Sequence, residues 1–321
     1  MNGHRALIFV KSPFHRYILI YTEGEFNLKV IVPASTSNLG PGFDTLGLAV
    51  NRYVVIDASA SSHFSVEITG EGADGIPTDE RNLTAVGMKT ILGTLPDLQV
   101  KIYNGIPSCG GFGASGAAII GGLLLANELS STKLTIDEIY NLAVKIEGHP
   151  DNVSAALYGG LVVNARGGNG TYSRLKIPVE SKLKFVAVLP DSKVETEVAR
   201  KLLPDSVKLH DAVSNVQHSS LLVAAMASGN YEMIRQAVHD ELHQKYRKEL
   251  IPHYDRFSDA AMKSGALAYA VSGAGSSCVA FCLDDHKSVQ RALEDLIDEL
   301  GLNWRAEVFE PVNKGAEVFI D

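Results

Sequence analysis

The sequence predicts an α+β protein of two domains, and three observations carry that prediction. At 321 residues the chain exceeds one ordinary core and suits two. Strand-like and helix-like segments mix along it without the regular cadence of a doubly wound sheet. Its 29 glycines, about 9% against a norm of about 7%, are concentrated, six of them within residues 110–122.

Composition narrows the function classes. Hydrophobic residues make up 45% and charged residues 21%, which is ordinary globular usage and argues against disorder or a fibrous chain. A net charge of −8 disfavours nucleic acid and anionic membranes as partners. Anionic small molecules stay open, because local backbone amides outweigh global charge. The longest apolar runs, such as residues 119–126, fall short of the ~20 residues that a membrane span needs. Lys11, His15 and Arg16 interrupt the apolar start, so no signal peptide is expected. Cys109, Cys278 and Cys282 are too few and too odd for a disulfide framework and predict a cytoplasmic protein. Cys278 and Cys282 lack a second pair at zinc spacing and read as small buried hydrophobes.

The elements follow in order. Residues 5–10 and 17–22 read as strands of a hairpin turning near Ser12-Pro13, and residues 28–32 as a strand. Residues 33–44 read as a polar loop punctuated by glycine and proline. Strands are expected at 54–58, 64–68 and 100–103, with a turn-rich stretch at 70–77 and an amphipathic helix at 82–92. Residues 117–129 are apolar at nearly every position and predict a buried helix. Thr135 with Glu138 forms a capping box for a helix at 136–147, and a small helix follows Asp151-Asn152. Strands are expected at 161–164 and 185–189, and the glycine-rich stretch from Gly167 marks the domain boundary. The second half predicts helices near 195–203, 211–227, 230–243 and 286–300, with strands at 268–271, 279–283 and 304–309.

Residues 111–116 spell Gly-Phe-Gly-Ala-Ser-Gly and formally match the dinucleotide fingerprint G-x-G-x-x-G. That motif needs its first glycine directly after a strand and an acidic residue ~20 positions on, at a strand end. Here Gly105–Gly110 intervene, and Asp137 and Glu138 open a helix, so the dinucleotide reading fails. No Gly-Lys-Ser/Thr occurs, which excludes a P-loop, and protein-kinase elements are absent. What remains is an anion cradle in front of a long helix, competing with simple close packing through small residues.

Other polar clusters are each ambiguous alone. Ser35, Thr36, Ser37, Asn38 and Asp44 could line a substrate or form an ordinary turn. Glu147-Gly148-His149-Pro150-Asp151-Asn152 suits a metal-nucleotide site, or helix capping, or both. His239-Asp240-Glu241-Leu242-His243 superficially matches a zinc-protease helix, but its glutamate is misplaced, and a solvated charged face is the expectation. Ser272–Ser277 is a second glycine turn, a tight bend or a lid on a ligand.

Together these segments resemble the GHMP small-molecule kinases, and among them the homoserine kinase branch. Val32-Pro33-Ala34-Ser35-Thr36-Ser37-Asn38-Leu39-Gly40-Pro41-Gly42-Phe43-Asp44 resembles that branch's N-terminal signature. Pro107 to Ala118 is similar to the P-x-x-x-G-L-G-S-S-A-A phosphate loop, residues 271–281 to the C-terminal glycine motif, and residues 147–160 to a block of this branch. The resemblance runs from Lys29 to the end, leaving 1–28 as an N-terminal extension. It implies an N-terminal ATP-binding domain (29–175) of ribosomal-protein-S5 type and a ferredoxin-like C-terminal domain (176–321), with the site between them. The implied reaction converts ATP and L-homoserine to ADP and O-phospho-L-homoserine, a step toward threonine.

By resemblance, the ATP site comprises Asn82, near the adenine, and Pro107, Ser108, Cys109, Gly110, Gly111, Phe112, Gly113, Ala114, Ser115, Gly116 and Ala117 around the phosphates. Ser115 and Glu147 would hold Mg²⁺. Asn38, Asp44, Asp151, Thr196, Arg200 and Arg247 would bind homoserine, the arginines gripping its carboxylate, and Asp151 and Asn152 sit at the transferred group. A homodimer is the family-level expectation. Phe112, Ala114 and Gly116 depart from the phosphate-loop pattern, and Ser276 replaces a common proline. Losing the first serine removes a hydroxyl and keeps the amides, so weakened nucleotide contact is the most it implies. Catalysis is expected to rest on positioning without a dedicated base. The alternatives are another family kinase, of mevalonate or shikimate type, and a silent nucleotide-binding regulator.

Overall fold

The computed structural model describes residues 5–11, 16–22, 27–168, 170–192 and 194–320. Strands β1 (Arg5–Lys11) and β2 (Arg16–Thr22) pair antiparallel, and the turn expected near Ser12-Pro13 lies outside the described residues. The main chain then runs β3 (Asn27–Ser37), β4 (Leu46–Ala60), β5 (Ser65–Gly70), α1 (Leu83–Leu92), β6 (Leu98–Asn104), α2 (Ala114–Leu129), α3 (Ile136–Glu147), α4 (Asp151–Tyr158), β7 (Leu161–Arg166) and β8 (Tyr172–Ile177). It continues with β9 (Lys184–Leu189), α5 (Thr196–Lys201), α6 (Leu209–Ser228), α7 (Ile234–Ala237), α8 (Gln244–Arg247), α9 (Tyr254–Lys263), β10 (Ala268–Val271), β11 (Cys278–Cys282), α10 (His286–Glu299), β12 (Arg305–Phe309) and β13 (Glu317–Ile320).

Two sheets organise these elements. The larger has seven strands, with the path β13-β3-β4-β6-β5 and the β7–β8 hairpin attached to β4. Helices α2 and α4 lie on β3 and β4. Helix α2 is apolar all round because it is enclosed on all sides, with α1 on its far flank. The two helices approach closely at Gly122, where a Cβ would lie 2.1 Å from the Thr84 carbonyl oxygen. The smaller sheet has the order β10-β11-β9-β12, all antiparallel. Strands β9, β10 and β11 are buried on both faces, so their alternating side chains feed two separate cores. Phe185 and Ala187 of β9 face the core shared with the larger body, while Val186 and Val188 face α9 and α10.

Several sequence expectations are corrected. Residues 34–37 belong to β3, where they pair with residues 47–50 after a register shift at Pro33/Ala34, so the loop begins only at Asn38. Helix α2 starts at Ala114, which places Ser115 and Gly116 in its first turn. The helix expected at 230–243 breaks into a 3₁₀ turn, the short α7 and an irregular stretch before α8. The break follows Val238, beyond which the Asp240 carboxylate takes the His243 and Gln244 amides from outside any helix. β8, α9 and β13 were not foreseen. The division expected after residue 175 falls inside β8, and β13 returns to the first sheet beside β3. The capping box at Thr135–Glu138 is present in full.

Candidate functional site

Three segments distant in sequence are bonded into one frame. Ser272 Oγ lies 2.8 Å from Thr36 Oγ1 and donates to the Gly111 carbonyl at 2.6 Å. Ser277 Oγ donates to the Gly110 carbonyl at 2.7 Å, and Asn38 Nδ2 to the Gly273 carbonyl at 2.8 Å. Ser276, where the resembled pattern has proline, donates to the Cys109 carbonyl at 3.0 Å. The glycine turn 272–277 thus clamps the glycine loop to the end of β3. Phe112 fixes the loop from below, its ring stacked 4.5 Å from Phe309 at 9°.

This frame borders a cavity of about 770 Å³. Pro107, Ser108 and Gly110–Ser115 form one wall of it, and Glu147, Asp151 and Asn152 its floor. Asn38, Asp44, Thr196, Arg200 and Arg247 line the opposite end. The structure does not bring every residue of the resemblance to the lining. Asn82 is buried and spends its amide as the N-cap of α1, accepting from the Thr84 amide and donating to the Pro77 carbonyl. Cys109, Gly116 and Ala117 lie behind the wall, Gly116 against Asn152 and Val153. The turn 70–76 also lines the cavity. The sequence marks it only as part of the turn-rich stretch 70–77, because nothing local reports its place beside the phosphate loop.

Helix α2 opens at Gly113, a left-handed N-cap with no capping side chain, so the first-turn amides stay available to an anion at the positive helix end. Gly113 is required twice over. Its φ is +64°, and a Cβ there would lie 2.2 Å from Ser35 Oγ and 2.8 Å from Asn152 Oδ1. Those two atoms belong to one hydrogen-bonded group, because Ser35 Oγ donates to Asn152 Oδ1 at 2.9 Å and Asn152 Nδ2 to Ser37 Oγ at 3.2 Å.

The floor carries the titratable groups. Ser115 Oγ donates to Glu147 Oε1 at 2.6 Å, and burial pushes that carboxyl above the usual range, with the Ser115 bond and His149 opposing. His149 Nδ1 sits 2.6 Å from Asp151 Oδ1, which also accepts the Asn152 amide at 2.9 Å. Burial alone would raise the Asp151 carboxyl, but His149 and the Asn152 amide hold it below its ordinary value. Burial alone would depress His149, yet Asp151 and Glu147 raise it.

At the far end Arg200 forks onto Asp44, 2.9 and 2.7 Å, which raises its pKa through that bond. Arg247 is 2% exposed, donates to the Gly273 carbonyl at 2.8 Å, and leaves Nε without a partner. Burial, then the neighbouring Arg200, lowers its pKa to about 10. Asn38, Leu39 and Asp44 all take left-handed backbone, a concentration of strain in the loop that borders this end. Contrary to the solvated face expected at residues 239–243, Asp240 and His243 are buried.

The family models "GHMP kinases N terminal domain" and "GHMP kinases C terminal" match residues 82–160 and 222–301. A homoserine kinase of Caldanaerobacter subterraneus is 41% identical over 297 residues, covering 91% of this chain and 95% of that protein. The chain belongs to the homoserine kinase family of the GHMP kinases. Another homoserine kinase, from Caldicellulosiruptor bescii, is 37% identical over 91% of this chain and 97% of its own. The crystal structure of homoserine kinase from Cytophaga hutchinsonii superposes with a TM-score of 0.81 at 27% identity, over 93% of this chain and 99% of that one. The two sheets with their helices are accordingly the two-domain GHMP kinase fold, and this homoserine kinase relative is a phosphotransferase by family.

Proposed function

We propose that the chain is a homoserine kinase, transferring the γ-phosphoryl group of ATP to the side-chain hydroxyl of L-homoserine. The observation that carries the reading is the electrostatic layout of one cavity. One end offers the uncapped amides of α2, and the other a buried guanidinium with an unspent N–H. The first suits phosphates and the second a carboxylate. Asp44 adds an acceptor for an α-ammonium beside Arg200, which favours an amino acid over mevalonate or shikimate. We assign the two bodies as the two domains, dividing after β8 with β13 returned to the first, and place the protein in the cytoplasm, in keeping with three buried free thiols.

Ser115 and Glu147 fit the expected magnesium ion, since they put a hydroxyl and a carboxylate oxygen together at the mouth of the amide cradle. Bound there, the ion would neutralise phosphate charge. The chain's own residues do the positioning. The loop amides and α2 hold the phosphates, while Arg200, Arg247 and Asp44 hold the amino-acid end. Asp151 already accepts from His149 and the Asn152 amide and has a depressed pKa, so it orients these groups and is a poor proton acceptor. A coupled ADP-release assay across homoserine, mevalonate and shikimate tests the reading. Preferential turnover of homoserine is expected. Preference for another acceptor, or retained ATP binding without turnover of any, overturns it.

A further inference from the structure

Asp240 and His243 take no direct part in the proposed reaction, yet both are buried beside the amino-acid end of the cavity. His243 Nε2 lies 2.8 Å from the Gly40 carbonyl oxygen, an atom that only accepts, so Nε2 carries the proton. In the neutral ring Nδ1 is then an acceptor, and Arg247 Nη1 stands 3.5 Å from it. Burial, with Arg247 adjacent, lowers the His243 pKa and favours that neutral ring, although Asp240 opposes. Arg247 is therefore aimed by two uncharged acceptors, His243 Nδ1 and the Gly273 carbonyl. Uncharged acceptors orient a guanidinium without cancelling its charge, whereas a carboxylate in the same place would compete with an anionic ligand. Asp240 fixes the start of α8, which carries Arg247, by accepting the His243 and Gln244 amides at 2.8 and 2.7 Å.

Phe43 completes the bracket from the other side. Its ring stacks on His243 with centroids 5.1 Å apart at 25°. The same ring has the Arg247 guanidinium carbon 5.0 Å and that of Arg200 5.5 Å from its centre. One aromatic ring thus contacts both arginines and the imidazole.

We infer that His243, with Phe43, is a positioning residue that holds Arg247 toward the substrate carboxylate with its charge unspent, and so sets affinity for the amino acid without touching it. The inference rests on Arg247 as carboxylate ligand in the proposed function, and two independent readouts separate the claims. The first is kinetic. His243→Phe keeps a ring and removes both nitrogens, and should raise the homoserine KM about tenfold, the cost of one orienting bond to a charged group, with ATP KM and kcat little changed. His243→Asn places an acceptor near the Nδ1 position and should recover most of that loss. The second is the Arg247 Nε–Hε resonance, assigned by its disappearance in Arg247→Lys. It should shift or broaden in H243F while the Arg200 signal stays in place. If H243F does not fold, Phe43→Leu replaces it and should move both arginine signals. An unmoved Arg247 signal overturns the inference, as does a parallel rise of both KM values with no rescue by H243N. A wild-type enzyme that ignores homoserine overturns the functional reading alone, and the resonance still decides the positioning role.

Discussion

Replacing Gly113 by alanine tests the phosphate cradle at its tightest point. The backbone there is left-handed, which costs a residue with a Cβ about 1–2 kcal/mol. The added carbon would also lie 2.2 Å from Ser35 Oγ and 2.8 Å from Asn152 Oδ1, so the Ser35–Asn152 hydrogen bond must open. Losing that buried bond adds about 1–1.5 kcal/mol. The sum, about 3 kcal/mol, corresponds to a fall in Tm of about 4.5 °C for a chain of 321 residues. Calorimetry reads that shift. Initial-rate kinetics should show a kcat lower by at least about tenfold, because Asn152 is pushed from the floor of the cavity and small misplacements there are expensive. Gly113→Asn isolates the backbone share, since asparagine tolerates the left-handed region, and should recover about 1 kcal/mol. An alanine variant with Tm within about 1 °C of wild type and normal kcat refutes the argument, because it would mean that the helix start relaxes freely.

Asp151→Asn should leave kcat within about threefold while raising the homoserine KM about tenfold or more, since a charge-assisted bond is lost and no base is removed. Abolished turnover with substrate binding intact would make Asp151 the proton acceptor. Glu147→Gln should abolish magnesium-dependent activity and yet stabilise the fold at neutral pH. The raised carboxyl favours the folded state while protonated, and that contribution is lost as pH rises through the raised folded value, above the unfolded value of about 4.3. The Tm of wild type should therefore fall relative to E147Q as pH rises above about 4, and a pH-independent difference would contradict the assignment. Asp44→Ala should raise the KM for homoserine about tenfold but leave that for 4-hydroxybutyrate, which lacks the amine, within about twofold. Equal effects on both acceptors would remove Asp44 as the ammonium partner.

Most elements of the fold were legible, because long apolar periods and capping residues report helices directly. The Thr135–Glu138 box and the apolar α2 are examples. What failed to show were elements whose reason is tertiary. Ser35, Thr36 and Ser37 look like a turn in composition and form a strand because β4 lies alongside to pair with them. Residues 238–243 look helical, and the chain leaves the helix there to reach Gly40 and to let Asp240 cap α8. The site was legible at the level of motifs, because the small residues that allow close backbone approach are rare enough to notice. Asn82 shows the limit. A motif position points to a neighbourhood, and only the fold reveals that this amide is already committed as a helix cap.

The pairing of β13 with β3 has a consequence for how the molecule is made. Leu28–Ile31 of β3 receive Glu317–Ile320 as their outer neighbour, roughly three hundred residues later in synthesis. Until those residues leave the ribosome, the strand that carries Ser37 to the cavity has an open edge, free to pair with another nascent chain. The phosphate-binding half therefore cannot mature as a unit during translation, and a fusion or deletion at the far end of the sequence would be felt in the cavity it never touches.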